Sequence, residues 1–98
     1  MQVHLYLFCY DVRQDEDGVR RLRRVARACE SRGQRVQKSV FEMRLTPVQL
    51  TALIDRLRRI VDERIDSLRV YHIGQPSERT VQAFGVDHAV DFEGPLIL

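Results

Sequence analysis

Ninety-eight residues make one domain with a modest core, near the size at which stability is marginal and pairing with a second copy would help. With 44% hydrophobic and 31% charged residues, the composition is that of a soluble globular chain, and the longest apolar run is far too short to span a membrane. The net charge of +2 is unevenly placed, because residues 20–38 hold eight bases against one acid, Glu30. Such a local surplus on a near-neutral chain points to a patch for an anionic partner. The bases are almost all Arg, which suits bidentate phosphate contacts, although codon bias in the host gives the same preference. The opening M-Q-V-H-L carries no basic n-region and no cleavage site, so no signal peptide is expected. Cys9 and Cys29 fall on apolar faces and are not spaced as metal ligands, which predicts buried reduced thiols in a cytoplasmic protein.

Residues 3–11, V-H-L-Y-L-F-C-Y-D, predict a strand. Val3, Leu5, Leu7 and Cys9 alternate with His4, Tyr6, Phe8 and Tyr10, and both sets are apolar or amphipathic, as in an inner strand of a sheet. A buried unpaired carboxylate costs several kcal/mol, so Asp11 belongs at the exposed C-terminal lip. There it is either a turn-forming residue or part of a ligand site of the kind that gathers at strand ends.

Residues 11–18 read as a polar loop whose acids precede a helix, where they favour the positive end of its dipole. The helix is expected over 19–32, with Val19, Leu22, Val25, Ala26 and Cys29 as its apolar stripe and Gly33 as a left-handed stop. Residues 34–45 read as extended, with a change of parity near Ser39 that fits either a bulge or a bent pair of strands. Thr46-Pro47-Val48-Gln49 is a capping box with proline in the first turn, and it starts a helix running to about Asp62. Its buried side would carry Leu50, Leu53, Ile54, Leu57, Ile60 and Val61. A strand is expected over 68–73, a turn over 74–77 and a short strand over 80–84.

The order strand, helix, extended pair, helix, strand is the β-α-β-β-α-β pattern of an α+β, ferredoxin-like sandwich. Two helices would cover one sheet face. The other face, expected to carry Tyr6, Phe8 and Tyr10, would pack on a second copy. The tail, residues 86–98, ends D-F-E-G-P-L-I-L and would be a sticky edge unless an extra C-terminal strand paired with the partner subunit.

The Y-D-V after the first strand, R-R-V-A-R on the first helix and G-Q-R-V-Q-K-S-V-F-E after it resemble the small CRISPR-associated spacer-acquisition nucleases (Cas-two). D-S-L-R-V-Y-H-I-G and the apolar ending resemble the type I-C-like branch, so the likeness covers essentially the whole chain. It implies a homodimer of ferredoxin-like subunits and a divalent cation, Mg2+ or another, shared between two copies of Asp11. It also implies metal-dependent cleavage of RNA or double-stranded DNA, and a place beside the CRISPR integrase during spacer capture. By motif, Tyr10, Asp11, Ser39 and Phe41 match the family's catalytic set. Arg35 and Arg24 match nucleic-acid-binding positions, and a further one falls at Arg20 or Arg21.

Two copies of one Asp across a twofold axis can hold a hard cation with water in the remaining positions, and such a metal would activate a bound water and neutralise phosphate charge. Arg20, Arg21, Arg23, Arg24 and Arg27 either contact phosphates, which positions nucleic acid without reading bases, or form a solvated helix face. Ser39 has no clear base partner and reads as a hydrogen-bonding or bulge residue. His4, His72 and His88 are not at ligand spacing, although His72 would lie on a strand flanking the first. The nuclease reading stands beside two others: a non-catalytic, DNA-holding adaptor for the integrase, and a toxin-like RNA-cleaving relative.

Overall fold

A computed structural model describes residues 2–77 and 79–85. The elements run β1 (His4–Asp11), α1 (Gly18–Glu30), β2 (Gly33–Gln37), β3 (Val40–Leu45), α2 (Pro47–Ile60) and β4 (Ser67–Gly74). The strands form one sheet in the order β2-β3-β1-β4 with every neighbour antiparallel. This is the α+β, ferredoxin-like arrangement, and β1 is an inner strand whose backbone is paired on both sides.

The extended stretch resolves into both of the features its parity allowed. β2 and β3 are separate strands joined at Lys38-Ser39, and the register slips between Arg35 and Gln37. The capping box holds as written: Gln49 N donates to Thr46 Oγ1 and Thr46 N donates to Gln49 Oε1 at 2.9 Å. Two terminal donors are thereby satisfied before the first intrahelical bond forms.

The two faces of the sheet are the reverse of the expected ones. Tyr6, Phe8 and Tyr10 lie beneath the helices, packed with Phe41, Met43 and Leu45 of β3, Val25, Ala28 and Cys29 of α1, and Leu53, Leu57 and Ile60 of α2. Alternation on β1 separated the two faces but not their roles. The set with the larger aromatic area takes the helix-covered side, where burial removes more surface from water. The face left without helices carries Leu5, Leu7 and Cys9 of β1, across from Arg44, Glu42 and Val40 of β3. Arg69 and Tyr71 of β4 flank Cys9 and Leu7 on the other side. Tyr71 remains 42% exposed on that face.

Several local expectations change. Val19 is exposed and Ala28 takes its place in the apolar stripe of α1. Gly33 is not a left-handed stop, because the positive-φ glycines among the described residues are Gly74 and Gly85. It opens β2 instead, opposite Met43, where a Cβ would stand 2.6 Å from the Glu42 carbonyl oxygen and 2.5 Å from Met43 Cγ. Residues 80–84 are not a strand, and Phe84 is exposed. The strand expected over 86–98 lies outside the described residues.

Candidate functional site

Asp11 closes β1 opposite Ser67, the first residue of β4. It is exposed, and strand alternation gives it the parity of Leu7 and Cys9, the side that no helix covers. Among the described residues no hydrogen bond or ion pair engages its carboxylate. Its oxygens are hard donors of the kind that bind Mg2+ with water in the other positions. No group of three or more His, Cys, Asp or Glu side chains able to hold a metal occurs among the described residues. Asp11 thus stands outside any such cluster among the described residues.

The backbone around Asp11 is fastened by a second carboxylate that sequence reading missed. The Asp66 side chain is fully shielded from solvent. It accepts from Arg13 N at 2.9 Å, Asp62 N at 2.9 Å, Arg21 Nε at 2.8 Å and Arg21 Nη2 at 3.2 Å. Burial pushes its pKa up, but the Arg21 guanidinium and the two backbone donors outweigh that and hold it below the usual carboxylate range. The lone pairs are filled, which makes a carboxylate tolerable out of water. The result is a tie between the chain just after Asp11 and the loop just before Ser67. Arg21, 14% exposed and also bonded to Asp15 at 3.4 Å, is the cation of this tie. As an expected phosphate contact it would have to compete with two carboxylates. The only signal in the sequence was the polar run D-E-R-I-D between α2 and β4.

Half of the expected catalytic set is not at a surface. Phe41 is completely buried and Tyr10 nearly so, their rings stacked with centroids 6.2 Å apart under the helices. Burial raises the Tyr10 pKa, with the Arg35 charge acting against it. Arg35 lies over the Phe41 ring at 5.1 Å and reaches Glu30 at 3.9 Å. Ser39 occupies the β2–β3 turn, where its carbonyl accepts from Tyr10 N at 3.1 Å. Tyr10 and Phe41 thus lie in the core beneath the helices, on the opposite side of the sheet from Asp11. They shape the strand that presents Asp11. Cys29 is buried in the same region, its thiol pushed up to about 12 by burial, and both cysteines are free. His72 does not approach Asp11. It pairs with Tyr6 near the other end of β1 and lies parallel to His4, with ring centroids 4.8 Å apart.

Arg20, Arg24 and Arg27 recur on α1 at a spacing that shares one helix face, and all are exposed. Arg24 and Arg27 line a cleft of about 220 Å³ between α1 and α2 together with Arg56, Arg59 and Ile60. Sequence reading singles out neither Arg56 nor Arg59. Among the described residues no helix is long and apolar enough to cross a membrane.

Comparison with known proteins agrees with this geometry. Residues 4–81 match the family described as "CRISPR associated protein Cas2". The chain is 50% identical over 95 residues to "CRISPR-associated endoribonuclease Cas2 3" of Rhodospirillum rubrum, covering 96% of this chain and 100% of that protein. It is 45% identical over 94 residues to "CRISPR-associated endonuclease Cas2" of Halalkalibacterium halodurans, covering 95% and 98%. The crystal structure of Streptococcus pyogenes Cas2 at pH 6.5 superposes with a TM-score of 0.73 at 43% identity, covering 83% of this chain and 99% of that one. On these matches, over the inner strand with its terminal aspartate and the antiparallel sheet that carries it, the chain belongs to the CRISPR-associated Cas2 family.

Proposed function

We propose that this protein is a metal-dependent endonuclease of CRISPR adaptation, cleaving phosphodiester bonds in RNA or double-stranded DNA as a homodimer. The observation that carries the reading is Asp11: exposed, unengaged among the described residues, and on the helix-free side of the sheet. Leu7, Cys9, Tyr71 and Ile73 make part of that side apolar; Tyr71 is 42% and Ile73 49% exposed. Packing two such faces together would bury these side chains and bring the two Asp11 lips toward one axis. The relatives from R. rubrum and H. halodurans carry endoribonuclease and endonuclease names, which supports hydrolysis and leaves both substrate classes in the reading.

In this mechanism the two Asp11 carboxylates would hold the divalent cation. Bound there, such an ion would lower the pKa of a bound water so that hydroxide, the nucleophile for phosphorus, forms near neutral pH, and would offset phosphate charge. The chain's own part is positioning. The Asp66 tie joins the backbone just after Asp11 to the loop before Ser67, and exposed arginines of α1 orient the phosphate backbone without reading sequence. With the integrase as partner, the same dimer would serve spacer capture in the cytoplasm.

The test compares purified wild type with Asp11→Asn on labelled RNA and duplex DNA, with and without Mg2+. The Asp11 carboxylate engages nothing among the described residues, so the variant should keep the wild-type melting midpoint and dimer mass while losing metal-dependent cleavage. Equal cleavage by the two proteins would refute the assignment. A folded wild-type dimer that binds the integrase and DNA but cleaves nothing would favour the adaptor reading instead.

A further inference from the structure

The four arginines between the helices form a site of their own. The sequence writes R-V-A-R on α1 and R-L-R-R on α2, and the fold brings Arg24 and Arg27 opposite Arg56 and Arg59 over Ile60. Residues three apart on a helix share a face, so each helix contributes two guanidinium groups to the same cleft.

Carboxylates engage some arginine side chains around the helical layer and leave others, Arg20, Arg23 and Arg32 among them, without such a bond among the described residues. Arg21 is held by Asp66 and Asp15, Arg58 by Glu63 at 3.2 Å, Arg64 by Asp62 at 2.9 Å, and Arg35 reaches Glu30. Among the described residues no such bond engages Arg24, Arg27, Arg56 or Arg59. Asp55, the acid nearest them on α2, acts on the charge of Arg58. The fold thus gathers four like charges around one cleft whose lining holds no acid. That costs repulsion in the free protein and focuses positive potential at one place. An anion relieves both. The volume, about 220 Å³, is below that of ordinary small-molecule pockets but sufficient for phosphoryl groups, and planar guanidinium forks match phosphate oxygens bidentately.

We propose that the α1–α2 cleft is a binding site for nucleic-acid backbone phosphates, with Arg56 and Arg59 as contacts alongside Arg24 and Arg27. It lies on the helical layer, across the sheet from the side on which Asp11 is presented. In a dimer joined by its sheets, the two clefts face outward, and each subunit grips the strand away from the cation. This rests on the reading of the protein as one that acts on nucleic acid.

The experiment uses the full-length dimer in an Asp11→Asn background, so that the probe survives. A fluorescent DNA duplex is titrated by anisotropy over a series of salt concentrations, comparing the parent with Arg56→Gln/Arg59→Gln and with Arg58→Gln. Glutamine keeps length and polarity while removing charge, and equal melting midpoints establish that the variants fold. The double variant should bind about tenfold more weakly, and the slope of log K against log salt should fall by about 1–2 per engaged cleft. Arg58→Gln should leave both unchanged. Equal affinity and slope in parent and double variant overturn the proposal while leaving the nuclease reading intact. A parent that binds neither the duplex nor an RNA of the same length, even at low salt, overturns both. Inorganic tripolyphosphate, titrated calorimetrically, separates the sources of phosphate. Saturable binding that the double variant loses, with duplex binding unaltered, assigns the cleft to a free polyphosphate and overturns the nucleic-acid assignment.

Discussion

Replacing Asp66 with alanine tests whether a buried carboxylate, and not strand pairing alone, holds the chain around Asp11. The side chain is fully shielded and accepts four hydrogen bonds, from Arg13 N, Asp62 N and two nitrogens of Arg21. Each bond to a charged acceptor contributes about 1.5–3 kcal/mol net, but the four share one carboxylate and cannot be summed. Removing one partner of a buried pair costs about 3–5 kcal/mol. Arg21 keeps Asp15 and some water, so Asp66→Ala should cost about 3–4 kcal/mol, near the lower end of that range. That is a large part of the roughly 5–15 kcal/mol available to a domain. At about 4–8 °C per kcal/mol for this size, the melting midpoint should fall by about 12–30 °C. Urea denaturation should be run at one protein concentration, because any dimer couples stability to concentration.

The pH dependence gives an independent check. The folded pKa of Asp66 lies below its ordinary value. Its stabilisation is therefore present above the unfolded carboxylate pKa of about 3.9 and is lost as pH falls through the lower, folded one. Asp66→Ala should flatten that acid limb. A variant within about 1 kcal/mol of wild type, with the acid limb intact, would refute the reasoning.

Gly33→Ala would place a methyl group against the Glu42 carbonyl, which is fixed by the sheet, and against Met43, which can shift. A loss of about 1–3 kcal/mol is expected by urea denaturation, and an unchanged midpoint would mean that the β2 edge yields. Phe41→Ala should cost about 3–5 kcal/mol through the cavity it leaves, whereas Phe41→Leu and Tyr10→Phe should fold and keep most cleavage per folded molecule. Loss of cleavage in these conservative variants at an unaltered melting midpoint would show that the aromatic pair takes a direct part in the chemistry.

Much of the fold was legible because its signals are local. The capping box at Thr46-Gln49 closes within four residues. The alternation on β1 and the stripe of α2 follow from the periods of strand and helix. The terminal position of Asp11 followed from the cost of burying a bare charge. The candidate site was legible only as a set of names. Tyr10, Asp11 and Phe41 belong to one expected catalytic set, yet the fold sends Asp11 to the helix-free side and the two rings into the core. Gly33 was marked as a special position for the wrong reason: what requires it is the approach of β3, ten residues on.

The chain itself determined the element order, the inner strand and the exposed carboxylate at its end, because propensity, period and desolvation act on neighbours in sequence. Tertiary structure alone decided which face of β1 went under the helices, since both faces are apolar and only competition for the larger buried area separates them. It alone joined Arg21 to Asp66, 45 residues apart, and set Arg24 and Arg27 opposite Arg56 and Arg59. Charges attract or repel through space, and their partners are chosen by packing, which no spacing along the chain records.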